Sequence, residues 1–484
     1  MKEENKPLPA NFRAYYRSTV ATVILLTSIS HGVLAQYPTA GKTKVFTLEE
    51  AVDFALKNYP AVRASLERAS AARGGVALAR TNYMPRADML WQGNRATRNN
   101  VFGLLLPQSM IPSVSGPVLP TTSSQSVWGS AAGLLFSWEP FDFGYRKAEV
   151  NAARATQIRT NAEVTVTRLD VSVATINAYL TLVAAEQTVR AAQADVDRRE
   201  VFVKSVHVLV DNQLRPGADA SRADAELARA KANLARTLQQ QEVSRAALAD
   251  ILGIADSRVE VQTGGLASLP AAATPSVSAL LSHPAAEAQR ARVEELRSRV
   301  HILDRTYYPK FGFQAAIYGR GSGANTDGTF AGGTNGLGLD RTNWAAGLTV
   351  TFPLIDIFAI RSKKGIEEAN ERAEAARYDQ TIQDLTGQLR KAQASLEGAR
   401  QVAENTPVEF EAARTTETQE RARYQAGLAT IVDVSDAQGL LVQAEIDDAL
   451  ARLAVWQNFA AVFASQGDLR PFIQMLHEKT QGGP

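Results

Sequence analysis

The sequence predicts a mainly α protein that also carries β-strands and is built by internal duplication. Three observations predict it. Matching strings recur at a fixed spacing in the two halves of the chain, apolar positions keep a 3–4 rhythm over unusually long stretches, and four short alternating segments sit at corresponding places in the halves.

Composition sets the bounds. At 484 residues the length alone suggests about three domains of roughly 150 residues. With 45% hydrophobic and 21% charged residues and a mean hydropathy of −0.16, the chain is neither disordered nor a bundle of membrane-spanning helices. Lys+Arg 52 against Asp+Glu 50 leaves no basic field to attract nucleic acid. Cysteine is absent, which excludes disulfides, thiolate metal sites, thiol catalysis and lipidation of an N-terminal cysteine.

Residues 1–35 read as a cleaved signal peptide. Lys2, Lys6, Arg13 and Arg17 precede the apolar run Ser18 to Ile29, and Val33-Leu34-Ala35 offers small residues for cleavage. About 12 apolar residues are too few to span a bilayer. Removing four basic and two acidic residues brings the mature chain from +2 to zero.

The duplication organises the rest. Pro60-Ala61 and Pro284-Ala285 lie 224 residues apart, as do Pro85 and Pro309. Ala132-Gly133-Leu134 matches Ala346-Gly347-Leu348 at 214, and Phe141-Asp142-Phe143 matches Ile355-Asp356-Ile357 at the same spacing. Asp219-Ala220-Ser221 matches Asp433-Val434-Ser435, again at 214. The spacing changes only between the strands, in loops 99–125 and 321–342. The first repeat is placed at 36–252, a connector at 253–275, the second repeat at 276–466 and a tail at 467–484.

Each repeat predicts the same element order. A helix (47–81; 276–305) leads to a strand that begins at a proline, and a polar loop leads to a second strand (126–142; 342–356). A very long helix follows (145–211; 357–425), then a tight turn and a return helix (219–252; 432–466). Val166, Leu169, Val173, Ile176, Leu180 and Val183 form one seam, and Leu385, Leu389, Ala392, Leu396, Ala399 and Ala403 another. At 1.5 Å per residue the long helices reach about 100 Å, so each can lie beside two shorter helices stacked end to end. Pro407 should kink the second.

The strands alternate. Ala87, Met89, Trp91 and Gly93 share one face, as do Phe311, Phe313, Ala315 and Ile317. Such faces suit lipid outside and water inside a barrel, or equally a soluble sheet with one wet face. Four strands cannot close a barrel, so the membrane reading requires several chains to share one. Trp128, Trp138 and Trp344 suit interfacial belts.

Two strings then carry a resemblance. The run Tyr424-Gln425-Ala426-Gly427-Leu428-Ala429-Thr430-Ile431-Val432-Asp433-Val434-Ser435-Asp436-Ala437-Gln438 resembles the helical-hairpin signature of TolC-like outer-membrane efflux proteins, and Phe141-Asp142-Phe143-Gly144 is similar to their strand-to-helix turn. Asp142, Gly144 and Asp356 mark that turn in the two repeats. The resemblance covers the whole mature chain. It implies a homotrimer in which three protomers give four strands each to a 12-stranded transmembrane β-barrel, continued by a long α-helical coiled-coil barrel through the periplasm. It also implies outer-membrane localisation and a passive duct for drugs, small molecules or secreted proteins. Its implied partners are a periplasmic membrane-fusion adaptor protein, an inner-membrane RND or ABC-type pump and outer-membrane lipid. No catalysis and no cofactor are implied.

By the same resemblance Asp433 and Asp436 match carboxylates that ring the periplasmic entrance. Their i, i+3 spacing puts them on one helix face, and three copies would place six carboxylates around the axis, where like charges should raise some of their pKa values and attract cations. Alternatively, they cap the return helix and favour its dipole. Tyr424 matches the tyrosine of an entrance-closing network. The arginine of that network falls at Ala429 here, which leaves Arg423 or Arg421 as substitutes. The first hairpin, with Pro216, Gly217, Ala218 and Asp219, reads as tighter than the second, with Gly427, Leu428, Ala429 and Thr430. Gly217 and Gly427 should supply the turn angles, and both tips should meet the adaptor. The competing reading is a soluble periplasmic coiled-coil scaffold.

No catalytic or metal motif stands out. His207, His283, His301 and His477 are scattered without ligand spacing. Gly319-Arg320-Gly321-Ser322-Gly323 opens no helix that could cradle phosphate. Gly332 to Asp340 is faintly similar to calcium-binding glycine repeats but reads as a flexible loop.

Overall fold

A computed structural model describes residues 43–98, 122–270 and 281–481. The expected signal peptide, most of loop 99–125, and residues 271–280 lie outside them. In chain order the elements are β1 (Lys44–Phe46), α1 (Leu48–Asn58), α2 (Pro60–Thr81), β2 (Arg86–Thr97), β3 (Ser126–Phe141), α3 (Tyr145–Asp211), α4 (Gly217–Ile251), β4 (Val259–Val261), a 3-10 turn (Gly264–Ala267), α5 (Pro284–Thr306), β5 (Lys310–Ser322), β6 (Arg341–Thr351), α6 (Asp356–Gln425), α7 (Ile431–Gln466) and α8 (Arg470–Gln481).

The helices pack as their lengths require. Near its start, α3 meets α2 through Asn82–Glu149 and α5 through Arg159–Glu295. Farther along it meets α4 through Arg199–Glu226 and α7 through Arg198–Glu445. Helix α6 likewise meets α5 through Glu374–Arg292 and α7 through Thr406–Asp448. Helix α3 therefore runs beside four shorter helices, two near its start and two farther along, and α6 beside two. Helix α6 continues through Pro407, which is exposed.

The short helices join at two equivalent corners. The single helix expected over 47–81 is broken at Tyr59, held extended (φ −64°, ψ 128°) because Pro60 follows it and starts α2. Where α4 ends, Gly253 (φ 72°) abuts Asn58; where α7 ends, Gly467 (φ 82°) abuts His283 and Pro284. A Cβ on Gly467 would lie 2.5 Å from the Pro284 ring, so only glycine fits there.

The largest core lies around these corners. Leu48, Val52, Tyr179, Leu180, Leu248, Leu252, Trp456, Phe459 and Phe472 are buried in it. Full burial of each large apolar side chain stabilises by about 1.5–3 kcal/mol. The connector and tail contribute structure here that periodicity did not predict. β1 and β4 pair in parallel, and α8 adds Phe472. The Tyr179 hydroxyl, on α3, lies 3.0 Å from the Phe46 carbonyl and 2.7 Å from that of Gln262, and accepts the Gln262 N–H at 3.0 Å. It ties the small sheet to the long helix.

The four longer strands form one antiparallel sheet in the order β2-β3-β5-β6, which leaves β2 and β6 as edges. The second strand of each repeat is shorter than expected, ending at Phe141 and, before Pro353, at Thr351. Register aligns Met89, Leu134, Ile317 and Trp344 in one row across all four strands. Their exposures are 83%, 53%, 55% and 80%. The opposite face carries Asp88, Gln92, Gln314, Arg320 and Asn343 around a small cluster of Ala131, Leu135, Ala316 and Tyr318. Loop 321–342 is not the free loop expected of it. It lies flat on the sheet, because Gly319 and Gly321 have no side chain to hold it off, and Ser130 donates to the Gly338 carbonyl at 3.1 Å.

Candidate functional site

The two hairpins that join long and return helices are the same length. Five residues, 212–216 and 426–430, link α3 to α4 and α6 to α7, and the spacing stays at 214 throughout. The first hairpin is therefore not tighter. In each, the chain closes the helix by a paired motif: Gln213 and Leu214 donate to Val210 and Leu209, as Gly427 and Leu428 donate to Tyr424 and Arg423. The left-handed position is Gly427 (φ 81°) in one hairpin but Gln213 (φ 61°) in the other. Gly217, expected to supply that angle, instead begins α4 after Pro216, the N-cap.

Tyr424 is the centre of the site. Its side chain is buried against Phe202, Val206, Ala220, Ala429 and Val434. Its hydroxyl donates to Asp219 Oδ2 at 2.8 Å, so a residue of one hairpin binds the first turn of the other. Burial first, and then the bond to Asp219, raise the phenol pKa well above its ordinary value.

The arginine of this network is Arg215. Its guanidinium stacks 4.3 Å above the Tyr424 ring and donates to the carbonyls of Tyr424 and, at 3.3 Å, Ala429. Arg215 stands 214 residues before Ala429, in the matching position of the other hairpin. Arg423 and Arg421, the expected substitutes, instead pair with Glu420 at 2.7 Å and Glu417 at 3.5 Å on their own helix. Only a contact across the two repeats reveals Arg215; the duplication offset was the available signal.

Asp433 acts as a cap. Thr430, the N-cap of α7, donates to its carboxylate from backbone nitrogen (2.7 Å) and hydroxyl (2.8 Å), and receives the Asp433 N–H. The Thr430 backbone bond, then its hydroxyl, hold the Asp433 pKa below its usual value, with Arg423 adding to the effect. Within one protomer these donors, and not a neighbouring carboxylate, set the direction of the shift. Asp436 is exposed one turn on, on the same side. Pro216, Ala218, Gly427 and Leu428 are exposed at the tips, whereas Ala429 is buried. Leu214 and Leu428, at matching positions, are 69% and 71% exposed.

The strand-to-helix turn is built differently in the two repeats. Asp142 accepts from Gly144 N (3.0 Å), Arg146 N (2.9 Å) and Arg146 Nε (2.6 Å). Gly144 takes φ 88°, and the buried Arg146 also donates to the carbonyls of Asn82 and Glu139. Arg146 thus fastens α2, β3 and α3 together, a role its sequence position did not signal. In the second repeat Asp356 is exposed at the start of α6, and Phe358 stands where Gly144 does. Among the described residues no group of His, Asp or Glu is placed to hold a metal ion.

A family model for "Outer membrane efflux protein" matches residues 51–254 and 276–468. Protein CyaE of Bordetella pertussis is 24% identical over 442 residues, covering 89% of this chain and 86% of that protein. The fold matches the Campylobacter jejuni CmeC outer membrane channel with a TM-score of 0.70 at 16% identity, covering 89% of each chain. It matches the open state of the Neisseria gonorrhoeae MtrE outer membrane channel with a TM-score of 0.67 at 19% identity, covering 87% of this chain and 88% of that one. The double match, one per repeat, spans most of the chain: the protein belongs to the outer-membrane efflux protein family, whose members are non-catalytic transport channels.

Proposed function

We propose that the protein is the outer-membrane duct of a tripartite export system. The sheet carries this reading: two unpaired edges, and a continuous row of exposed apolar side chains that water does not favour. Three copies joined edge to edge would close a 12-stranded barrel with that row toward lipid and the polar face toward the lumen. The helices then continue the barrel as a periplasmic tunnel.

The Arg215–Tyr424–Asp219 clasp holds the hairpins of one protomer together and keeps the tunnel entrance narrow. Asp433 and Asp436 give six carboxylates at that entrance, which favour cations. The tips, with Pro216, Gly217, Ala218, Asp219, Gly427, Leu428, Ala429 and Thr430, receive a membrane-fusion adaptor protein, and an inner-membrane RND or ABC-type pump supplies the energy. The cargo is small molecules, drugs or secreted proteins.

Purified protein in planar bilayers tests the reading. Single-channel currents should appear, and replacing Asp433 and Asp436 by asparagine should lower cation preference. Well-folded trimers that conduct nothing would overturn it. A soluble scaffold would instead wash from outer membranes with carbonate.

A further inference from the structure

The two repeats meet inside the chain along one seam. β3 lies against β5 with Leu134 opposite Ile317, Phe136 opposite Ala315 and Trp138 opposite Phe313. Below the strands Phe143 stacks on Tyr308 with ring centroids 5.3 Å apart, and beyond them α3 grips α5 through Arg159 and Glu295. The outer sides of the repeats lack such a partner, since β2 and β6 are both edges.

The duplication spacings, 214 for β3 and α3 and 224 for α5 and β5, carry the inner seam onto these free sides. Leu134, Phe136 and Trp138 map to Leu348, Val350 and Phe352, while Ile317, Ala315 and Phe313 map to Gly93, Trp91 and Met89. All six belong to the apolar side of the sheet, whereas a slip of one residue would set that side against the polar one. Phe143 and Tyr308 map to Ile357 and Met84. Arg159 and Glu295 map to Ala373 and Ala71, and one heptad from these stand Ile366 and Leu78. Leu78, Met84, Met89, Phe352 and Ile366 are 60–83% exposed, a density of bare apolar side chains that marks an interface. Gly133 is pressed against Tyr318, where a Cβ would have only 2.5 Å, but its counterpart Gly347 faces open space.

We propose that the seam between neighbouring copies of this chain repeats the inner seam residue for residue. Val350 then lies opposite Trp91 of the next copy, Ile357 rests on Met84 and Ile366 on Leu78. This rests on the channel reading above and adds to it the register at which copies join. A second copy is the occupant that both free sides require, because each side is the missing half of the other. The inner seam holds an ion pair where the outer one has two alanines, so the joint between copies is apolar and should persist at high salt.

The chain has no cysteine, so disulfide trapping in the full-length protein reads the register directly. Thr349→Cys with Gln92→Cys, directly opposite in this register, should link into covalent trimers on mild oxidation in the membrane. Ile366→Cys with Leu78→Cys should do the same, and each single variant should stay unlinked. Thr349→Cys with Asp88→Cys is displaced by four residues, about 13 Å along the strand, beyond a disulfide's reach, and should link at least about tenfold less. The strand pair and the helix pair are independent, so misfolding of one variant leaves the other to decide. Linking of the displaced pair, or amine-cross-linked trimers in which neither matched pair links, overturns the seam alone. Ile366→Cys and Leu78→Cys that stay open to a maleimide in such trimers would give those side chains to lipid or another protein, and overturn it as well. Folded protein that is never trimeric on extraction would instead remove the channel reading beneath it.

Discussion

Tyr424 joins two kinds of stability in one side chain, since its ring completes a small apolar core and its hydroxyl reaches a carboxylate on the other hairpin. Tyr424→Phe should keep the core and lose the bond to Asp219, a hydrogen bond to a charged group being worth about 1.5–3 kcal/mol. The expected result is a duct that opens more often, read as shorter closed dwell times in bilayer recordings. Thr430→Ala removes the cap of α7 and should cost about 1 kcal/mol, visible as faster amide exchange over the first turns of that helix. Two glycines give a paired test. Both Gly427 and Gly467 take left-handed angles, but a Cβ at Gly427 meets open space while one at Gly467 meets Pro284. Gly427→Ala should therefore cost only the backbone term, about 1–2 kcal/mol, and Gly467→Ala clearly more in thermal melts. A capping role for Asp433 was legible as one of two readings; Thr430 was read only as a hairpin-tip residue, although a Thr three residues before an acid at a helix start is a local signature of a cap. Arg215 was not read, because its partners lie 209 and 214 residues along the chain, and the 214-residue offset marks it as the counterpart of Ala429 without reporting the contact.

The corner between α7 and α5 is an element held by one imidazole. His283 caps α5 by accepting the Ala285 N–H on Nδ1 at 3.1 Å, while Nε2 faces the Ala464 carbonyl at 3.3 Å. Burial lowers its pKa, against the opposing pull of that carbonyl and of Asp170 on α3. The folded state thus prefers neutral His283, and its contribution is present above the unfolded value of about 6.5 and lost as pH falls below it. His283→Asn keeps a capping side chain without a titrating one, so the fall in melting temperature between pH 7 and pH 5 should shrink in that variant. Long elements were readable almost to the residue because a seam repeated over many turns averages out local ambiguity. The three-residue strands β1 and β4 were not, since so short a run has no period, and their pairing joins the start of the first repeat to the connector. The break at Tyr59 was legible in principle: a proline restrains the residue before it, but a continuous apolar rhythm masked the corner.

At the scale of the whole molecule, the sheet decides where the chain can reside. Leu134→Arg puts a charge into the middle of the exposed row, and in a lipid-facing position should cost about 2–4 kcal/mol. The expected outcome is a loss of carbonate-resistant membrane association with the helices still folded by circular dichroism; a soluble protein would tolerate the change. The alternation of these strands was legible, but their destination was not, because lipid and a neighbouring protein layer select the same apolar side chains. The unpaired edges of β2 and β6 have a consequence in time as well as in space. If three copies share one barrel as proposed, a new chain completes its helix pairs by itself while its strands find their last partners on other copies, so the final step should depend on concentration and the earlier ones should not. Until that encounter the two edges are open templates for wrong pairing, and slowing the meeting of chains should favour aggregation over assembly.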